Sequence, residues 1–159
     1  RKTPQNIVIG GASGALPPVI GWAIATNSIS LESIAFFLII FFWTPSHFWA
    51  LSLYKADDYK KAGIPMLPVT NGIQDTKKNI FIYSLLMIPT IIFPYYIGFV
   101  GEIFLSLSLI LTFYYNLICF QLYNYKLGKF NIKKAKHIFS YSIVYLFLIF
   151  VFFLIDKIL

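Results

Sequence analysis

Residues 33–61 read SIAFFLIIFFWTPSHFWALSLYKADDYKK, and the switch inside that stretch decides the fold. From Ser33 to Leu53 apolar side chains cover every face of a helix instead of alternating as they would along a half-buried strand. Charge then arrives abruptly, as Lys55, Asp57, Asp58, Lys60 and Lys61. A run of roughly 20 apolar residues, at about 1.5 Å per residue, crosses a hydrocarbon core of about 30 Å. Working outward, four more such runs appear, and the spans fall at about 6–26, 31–53, 80–100, 103–123 and 138–155. The expected fold is all-α: a polytopic membrane helical bundle with five transmembrane helices, read as one membrane domain over residues 1–159 with a site loop at 54–79.

Composition points the same way. Of the 159 residues, 58% are hydrophobic and 12% charged, and the mean hydropathy is +0.75, which excludes a disordered chain and an ordinary soluble globule. The single Cys119 sits in an apolar run and excludes a disulfide framework. A net charge of +7 would ordinarily raise a nucleic-acid partner, but position argues against one. Twelve of the thirteen basic residues lie at the amino end, in 54–79 or in 124–137, and alternate crossings bring these three segments to one side. Lys/Arg excess marks cytoplasmic loops, so 54–79 and 124–137 are expected on the cytoplasmic face. The expected partner of this surface is the lipid bilayer.

Several spans carry helix-disturbing residues. Gly10 and Gly14 have the spacing that lets a neighbouring helix approach, and Pro17 and Pro18 then remove two backbone donors, so a kink or break is expected there. Pro89 and Pro94 read as further kinks, with Tyr95 and Tyr96 as interfacial anchors. Thr3 before Pro4 reads as an N-cap.

Candidate chemistry gathers in the second span and the segment after it. His47 lies about 10 Å below the charged end of its helix, where a polar ring needs a partner or a role. If the helix runs on past Pro45, then Trp43, His47, Tyr54 and Asp58 share an arc of about 60° that would line a cavity. A histidine hydrogen-bonded between packed helices, an axial haem ligand and another polar role all remain open. Asp57 and Asp58 are hard oxygen donors of the kind that hold Mg²⁺ together with phosphate oxygens, and Lys55, Lys60 and Lys61 would neutralise the remaining phosphate charge. A solvated helix end or local ion pairs would use the same residues.

The strings RKTPQNIVIGGASGALPPVIGW (1–22) and FFWTPSHFWALSLYKADDYKKAGIPMLPV (41–69) resemble the haem O synthases, or protohaem IX farnesyltransferases, of the UbiA-type intramembrane prenyltransferases. The resemblance is close over about the first 70 residues and rests on hydropathy beyond them. It implies a nine-helix fold, of which this chain is about half, corresponding to spans five to nine. It also implies a bacterial cytoplasmic (inner) membrane, Mg²⁺ as cofactor, and farnesyl diphosphate and haem b as substrates. The implied reaction moves the farnesyl group to a haem vinyl group, giving haem O. Haem A synthase or a terminal oxidase is the implied assembly partner.

On that resemblance Asp57 and Asp58 occupy the family's second acidic motif, as metal ligands and catalytic residues. Lys55, Lys60 and Lys61 become diphosphate contacts. Trp43, His47, Trp49 and Tyr59 become substrate-binding residues, the aromatic rings offering cation–π stabilisation to an allylic cation. The first acidic motif of the family is not present, because the only acid before Asp57 is Glu32, on the opposite side. This chain alone is therefore expected to be inactive. A transporter fragment would also explain broken spans and a buried histidine. A non-catalytic assembly module would instead use NYKLGKFNIKKAK (124–136) on anionic headgroups.

Overall fold

The computed structural model describes residues 3–125 and 131–159, so Arg1, Lys2, Lys126 and Lys129 of the basic segments lie outside the described residues. Eight helices follow one another among the described residues: α1 (Asn6–Ala15), α2 (Pro17–Thr26), α3 (Leu31–Tyr54), α4 (Ala56–Lys61), α5 (Leu67–Thr70), α6 (Gly72–Tyr96), α7 (Glu102–Tyr123) and α8 (Ile132–Ile158). No strand occurs among the described residues. Among the described residues five spans are long and apolar enough to cross a membrane: α1 with α2 as one, then α3, α6, α7 and α8. The protein is multi-pass.

Local sequence explains where the helices start and stop. Pro17 and Pro18 open α2, where their missing N–H groups cost nothing, and the chain breaks at Leu16. Asn27 then ends α2 in the left-handed conformation, at φ 54°. At the start of α3 the Ser33 hydroxyl accepts from the Ser30 N–H at 3.3 Å and donates to the Ser30 carbonyl at 2.8 Å, which satisfies one free donor of the helix start. Thr3 stands ahead of α1 rather than at its cap position, which Gln5 occupies; the Thr3 hydroxyl accepts from the Gln5 N–H at 3.2 Å. Pro45 interrupts the donor ladder of α3 without ending the helix, nor do Pro89 and Pro94 end α6. Beside Pro45, the Thr44 hydroxyl donates to the Ile40 carbonyl at 2.7 Å.

Helices α3, α6, α7 and α8 close a four-membered ring of contacts in that order, α8 returning to α3, while α1 and α2 pack on α3. Small residues at the crossings, among them Ala35, Ala50, Ser108 and Ser142, let the backbones approach. Large fully enclosed rings fill what remains: Trp49, Phe104, Tyr115 and Tyr145. Several polar side chains inside the ring satisfy one another, while Trp49 Nε1 and Ser108 Oγ have no partner among the described residues. Tyr115 donates to Ser46 at 3.0 Å, Ser84 donates to Asn116 at 3.0 Å, and Thr112 and Tyr145 share a bond of 2.9 Å. Such pairing is what permits polar groups at this depth.

The glycine spacing reads differently in space. A Cβ on Gly10 or Gly14 would meet nothing within 4 Å, whereas one on Gly11 would meet Thr44 Cγ2 at 3.1 Å. The rotation of α1 puts Gly11 and Ala15, four residues apart, against α3, and turns Gly10 and Gly14 towards an open groove.

At the end of the bundle opposite α4, the last turn of α8 is tied to the start of α7. Asp156 accepts from the Gly101 N–H at 2.7 Å and the Phe104 N–H at 3.1 Å, two donors that a helix start otherwise leaves free. Gly101 makes room, since a Cβ there would lie 3.0 Å from Asp156 Oδ1. Lys157 donates to the Phe99 carbonyl and lies 4.8 Å from the Phe99 ring centroid. Asp156→Ala is expected to cost about 1 kcal/mol, as for loss of a helix cap. Amide exchange should then speed at Gly101 and Phe104 and stay unchanged at Ile39; unchanged exchange at all three would show that the tie carries no weight.

Candidate active site

The segment 54–79 is not an irregular loop. α3 stops at Tyr54, Lys55 adopts a non-helical φ of −113°, and α4 begins at Ala56 with Asp57 and Asp58 in its first turn and Lys60 and Lys61 in its last. The arc expected for Trp43, His47, Tyr54 and Asp58 is therefore broken: the first three share α3, and Asp58 belongs to a separate helix. Gly63, at φ 63°, turns the chain out of α4, and buried Met66, Leu67 and Pro68 anchor the return to the bundle. Two short helices held at both ends present the acids on a firm mount rather than on a free loop.

Asp57, Asp58, Lys60 and Lys61 are all exposed. Lys55 and Asp58 form an ion pair at 3.0 Å, both side chains more than half exposed, at 53% and 63%. The hydrogen bond to Asp58, and then its charge, hold the Lys55 ammonium above its ordinary value. So open a pair contributes little to stability. Asp57, Lys60 and Lys61 make no ion pair among the described residues. Asp58, Tyr59 and Lys55 line a groove of about 400 Å³ with Leu51, Ala62 and Ile64. Cations, a carboxylate and an aromatic ring thus meet at one opening above the bundle.

The donor set can be set against Mg²⁺. No group of three or more His, Cys, Asp or Glu side chains converges among the described residues, so this chain holds no all-protein cage. Two exposed carboxylates fit an ion that keeps several waters and takes its other ligands from phosphate oxygens.

Deeper in the bundle, Trp43 and His47 stack at 4.3 Å between ring centroids, and Phe139 of α8 stacks on His47 at 4.6 Å. The Trp43 indole N–H donates to the Ser142 carbonyl at 2.9 Å, and His47 Nδ1 lies 2.6 Å from Ser142 Oγ. His47 is thus a histidine hydrogen-bonded between packed helices. Two open apolar grooves, each of about 340 Å³, flank Trp43: one with Gly10, Gly14 and Phe48, the other with His47, Leu146 and Phe150. Trp49 reaches neither. It is completely enclosed, edge-on to Tyr83 at 5.2 Å.

Sequence reasoning missed Lys136. It stands 5.7 Å from the Tyr54 ring centroid, so the second basic segment meets the end of α3 beside α4. Only the shared-side topology pointed there.

A model of the UbiA prenyltransferase family matches residues 1–144, and the chain belongs to that family. Among curated relatives, the chain is 76% identical over 159 residues to a protoheme IX farnesyltransferase of Pelagibacter ubique, covering all of this chain and 52% of the relative. It is 48% identical over 159 residues to the protoheme IX farnesyltransferase of Parvibaculum lavamentivorans, covering all of the chain and 50% of that relative. A third, from Azorhizobium caulinodans, is 50% identical over 150 residues, covering 94% of the chain and 49% of the relative. The chain spans about half the length of the curated relatives it matches. No solved structure matches it.

Proposed function

We propose that the whole protein to which this chain belongs transfers a farnesyl group from farnesyl diphosphate to a vinyl group of haem b, with water adding the hydroxyl group, giving haem O and diphosphate, at the bacterial cytoplasmic membrane. The observation that carries this reading is 76% identity over the entire chain to a protoheme IX farnesyltransferase. The exposed acids and lysines of α4, beside a groove that leads into apolar surface, support it.

In this reading Asp57 and Asp58 hold Mg²⁺, and Lys55, Lys60 and Lys61 bind the diphosphate oxygens. The bound ion supplies charge neutralisation for the departing diphosphate. Because Lys55 is already paired with Asp58, diphosphate binding exchanges that ion pair for contacts of both partners. Tyr59 stands at the groove mouth, and Trp43 and Phe48 offer apolar faces along which the prenyl chain lies out of water. Trp49 acts from within the core, by holding α3 in place. Haem A synthase or a terminal oxidase is the partner that would take up the product.

The test is direct. Full-length protein in lipid, given haem b, farnesyl diphosphate and Mg²⁺, is expected to yield haem heavier by a farnesyl group and a hydroxyl group, read by mass spectrometry. Absence of that product, with the protein folded and both substrates bound, would overturn the proposal. Flux of a solute through the same vesicles would favour a transporter instead.

A further inference from the structure

His47 and Ser142 make an arrangement in which the position of one hydrogen can be worked out. Ser142 Oγ lies 2.6 Å from the Phe139 carbonyl oxygen, three residues back on α8, and 2.6 Å from His47 Nδ1 on α3. A serine hydroxyl has one hydrogen, and a carbonyl can only accept. The Ser142 hydrogen therefore goes to Phe139, and its oxygen faces His47 as an acceptor. His47 Nδ1 must carry the hydrogen that closes the second bond. The rings that meet His47 are Trp43, Phe48 and Phe139, its hydrogen-bond partner is Ser142, and it has no ion pair among the described residues, so the imidazole is neutral and its other nitrogen is bare.

That second nitrogen has a definite place. Nε2 makes no hydrogen bond among the described residues, and it is not one of their fully enclosed unpartnered atoms. His47 is 8% exposed and lines the groove between α3 and α8 with Trp43, Leu146 and Phe150. Stacking by Trp43 and Phe139, with ring planes 19° and 25° from that of His47, fixes the ring against rotation.

We infer that Ser142 is a positioning residue for His47: it fixes the Nδ1–H tautomer and so presents a bare Nε2 lone pair to the α3–α8 groove, ready for an electron-pair acceptor. Free histidine prefers the opposite tautomer, so the serine sets a state that the ring does not choose alone. Trp43 donates to the Ser142 backbone carbonyl, which the alanine and cysteine variants retain, so the helix contact has a second tie. The inference goes beyond farnesyl transfer, since its readout is a nitrogen resonance and not a reaction.

The experiment labels the ring nitrogens of histidine with ¹⁵N in the full-length protein in lipid nanodiscs, at mildly alkaline pH, and assigns His47 as the signals lost in His47→Gln. The expected spectrum has Nδ1 in the protonated range and Nε2 in the unprotonated range. Ser142→Ala should exchange the two in most molecules. Should the alanine chain fail to assemble, Ser142→Cys, a poor acceptor of similar size, gives the same reading. A wild-type spectrum with Nε2 protonated overturns the inference by itself, and so does an unchanged tautomer in the variants.

Discussion

Replacing Asp57 and Asp58 together by asparagine in the full-length protein should lower haem O formation by about 10²–10³-fold in kcat, the scale on which preorganised charge stabilisation acts. Both side chains are exposed on a short helix outside the bundle, so the substitution should leave stability within about 0.5 kcal/mol of wild type. Lost activity with an unchanged melting temperature therefore reads as lost ligation. Lys55 provides the necessary comparison. If Asp58 served only to pair with Lys55, then Lys55→Ala and Asp58→Asn would have the same effect; if Asp58 binds the metal, the asparagine variant falls further and excess Mg²⁺ partly restores it. Activity within a factor of about two of wild type in the double variant would remove these acids from the reaction, whatever happens to the lysines.

The bilayer made much of the fold legible. A lipid-facing helix must be long and apolar, so α3, α7 and the paired α1 and α2 announced themselves by composition, and the break at Leu16 was visible in Pro17 and Pro18. Hydropathy failed where a helix leaves the lipid and stays helical. α6 begins at Gly72 and α8 at Ile132, each well before the apolar run that signals it, because first turns at the membrane surface are free to be polar. Lys77 belongs to such a turn. It is 1% exposed and donates to the Tyr125 carbonyl at 2.7 Å, a contact between residues 48 positions apart that no local pattern encodes.

The candidate site was legible in its parts rather than its assembly. Asp57 and Asp58 stood out as adjacent acids at the end of an apolar span, a pattern that a solvated helix end or local ion pairs would share. Where α3 would stop was not, since YKADDYKK contains neither glycine nor proline and would continue a helix as readily as restart one. The role of Ser142 depended on α8 folding back against α3, which is again a long-range fact.

Trp49→Ala should be the most destabilising single truncation in the bundle. The ring is wholly enclosed and edge-on to Tyr83 of α6, and no smaller neighbour can move in without opening the α3–α6 contact. Large-to-alanine changes in cores cost about 3–5 kcal/mol, and the lower half of that range is expected here, because between membrane helices the loss is mainly of van der Waals contact rather than of transfer from water. The indole carries a second term of opposite sign. Its Nε1 hydrogen has no acceptor among the described residues although the atom is enclosed, and an unmet buried donor costs about 1–3 kcal/mol. Trp49→Phe removes that donor and keeps most of the ring, so it should cost far less than Trp49→Ala and come close to neutral. Reversible unfolding of the 159-residue chain in mixed micelles separates the two substitutions: equal losses would mean that the indole nitrogen is satisfied and that the ring is held by its polar edge. Because α3 carries Trp43 and His47 and delivers the chain to α4, the alanine variant should also weaken whatever the acids bind, whereas the phenylalanine variant should not.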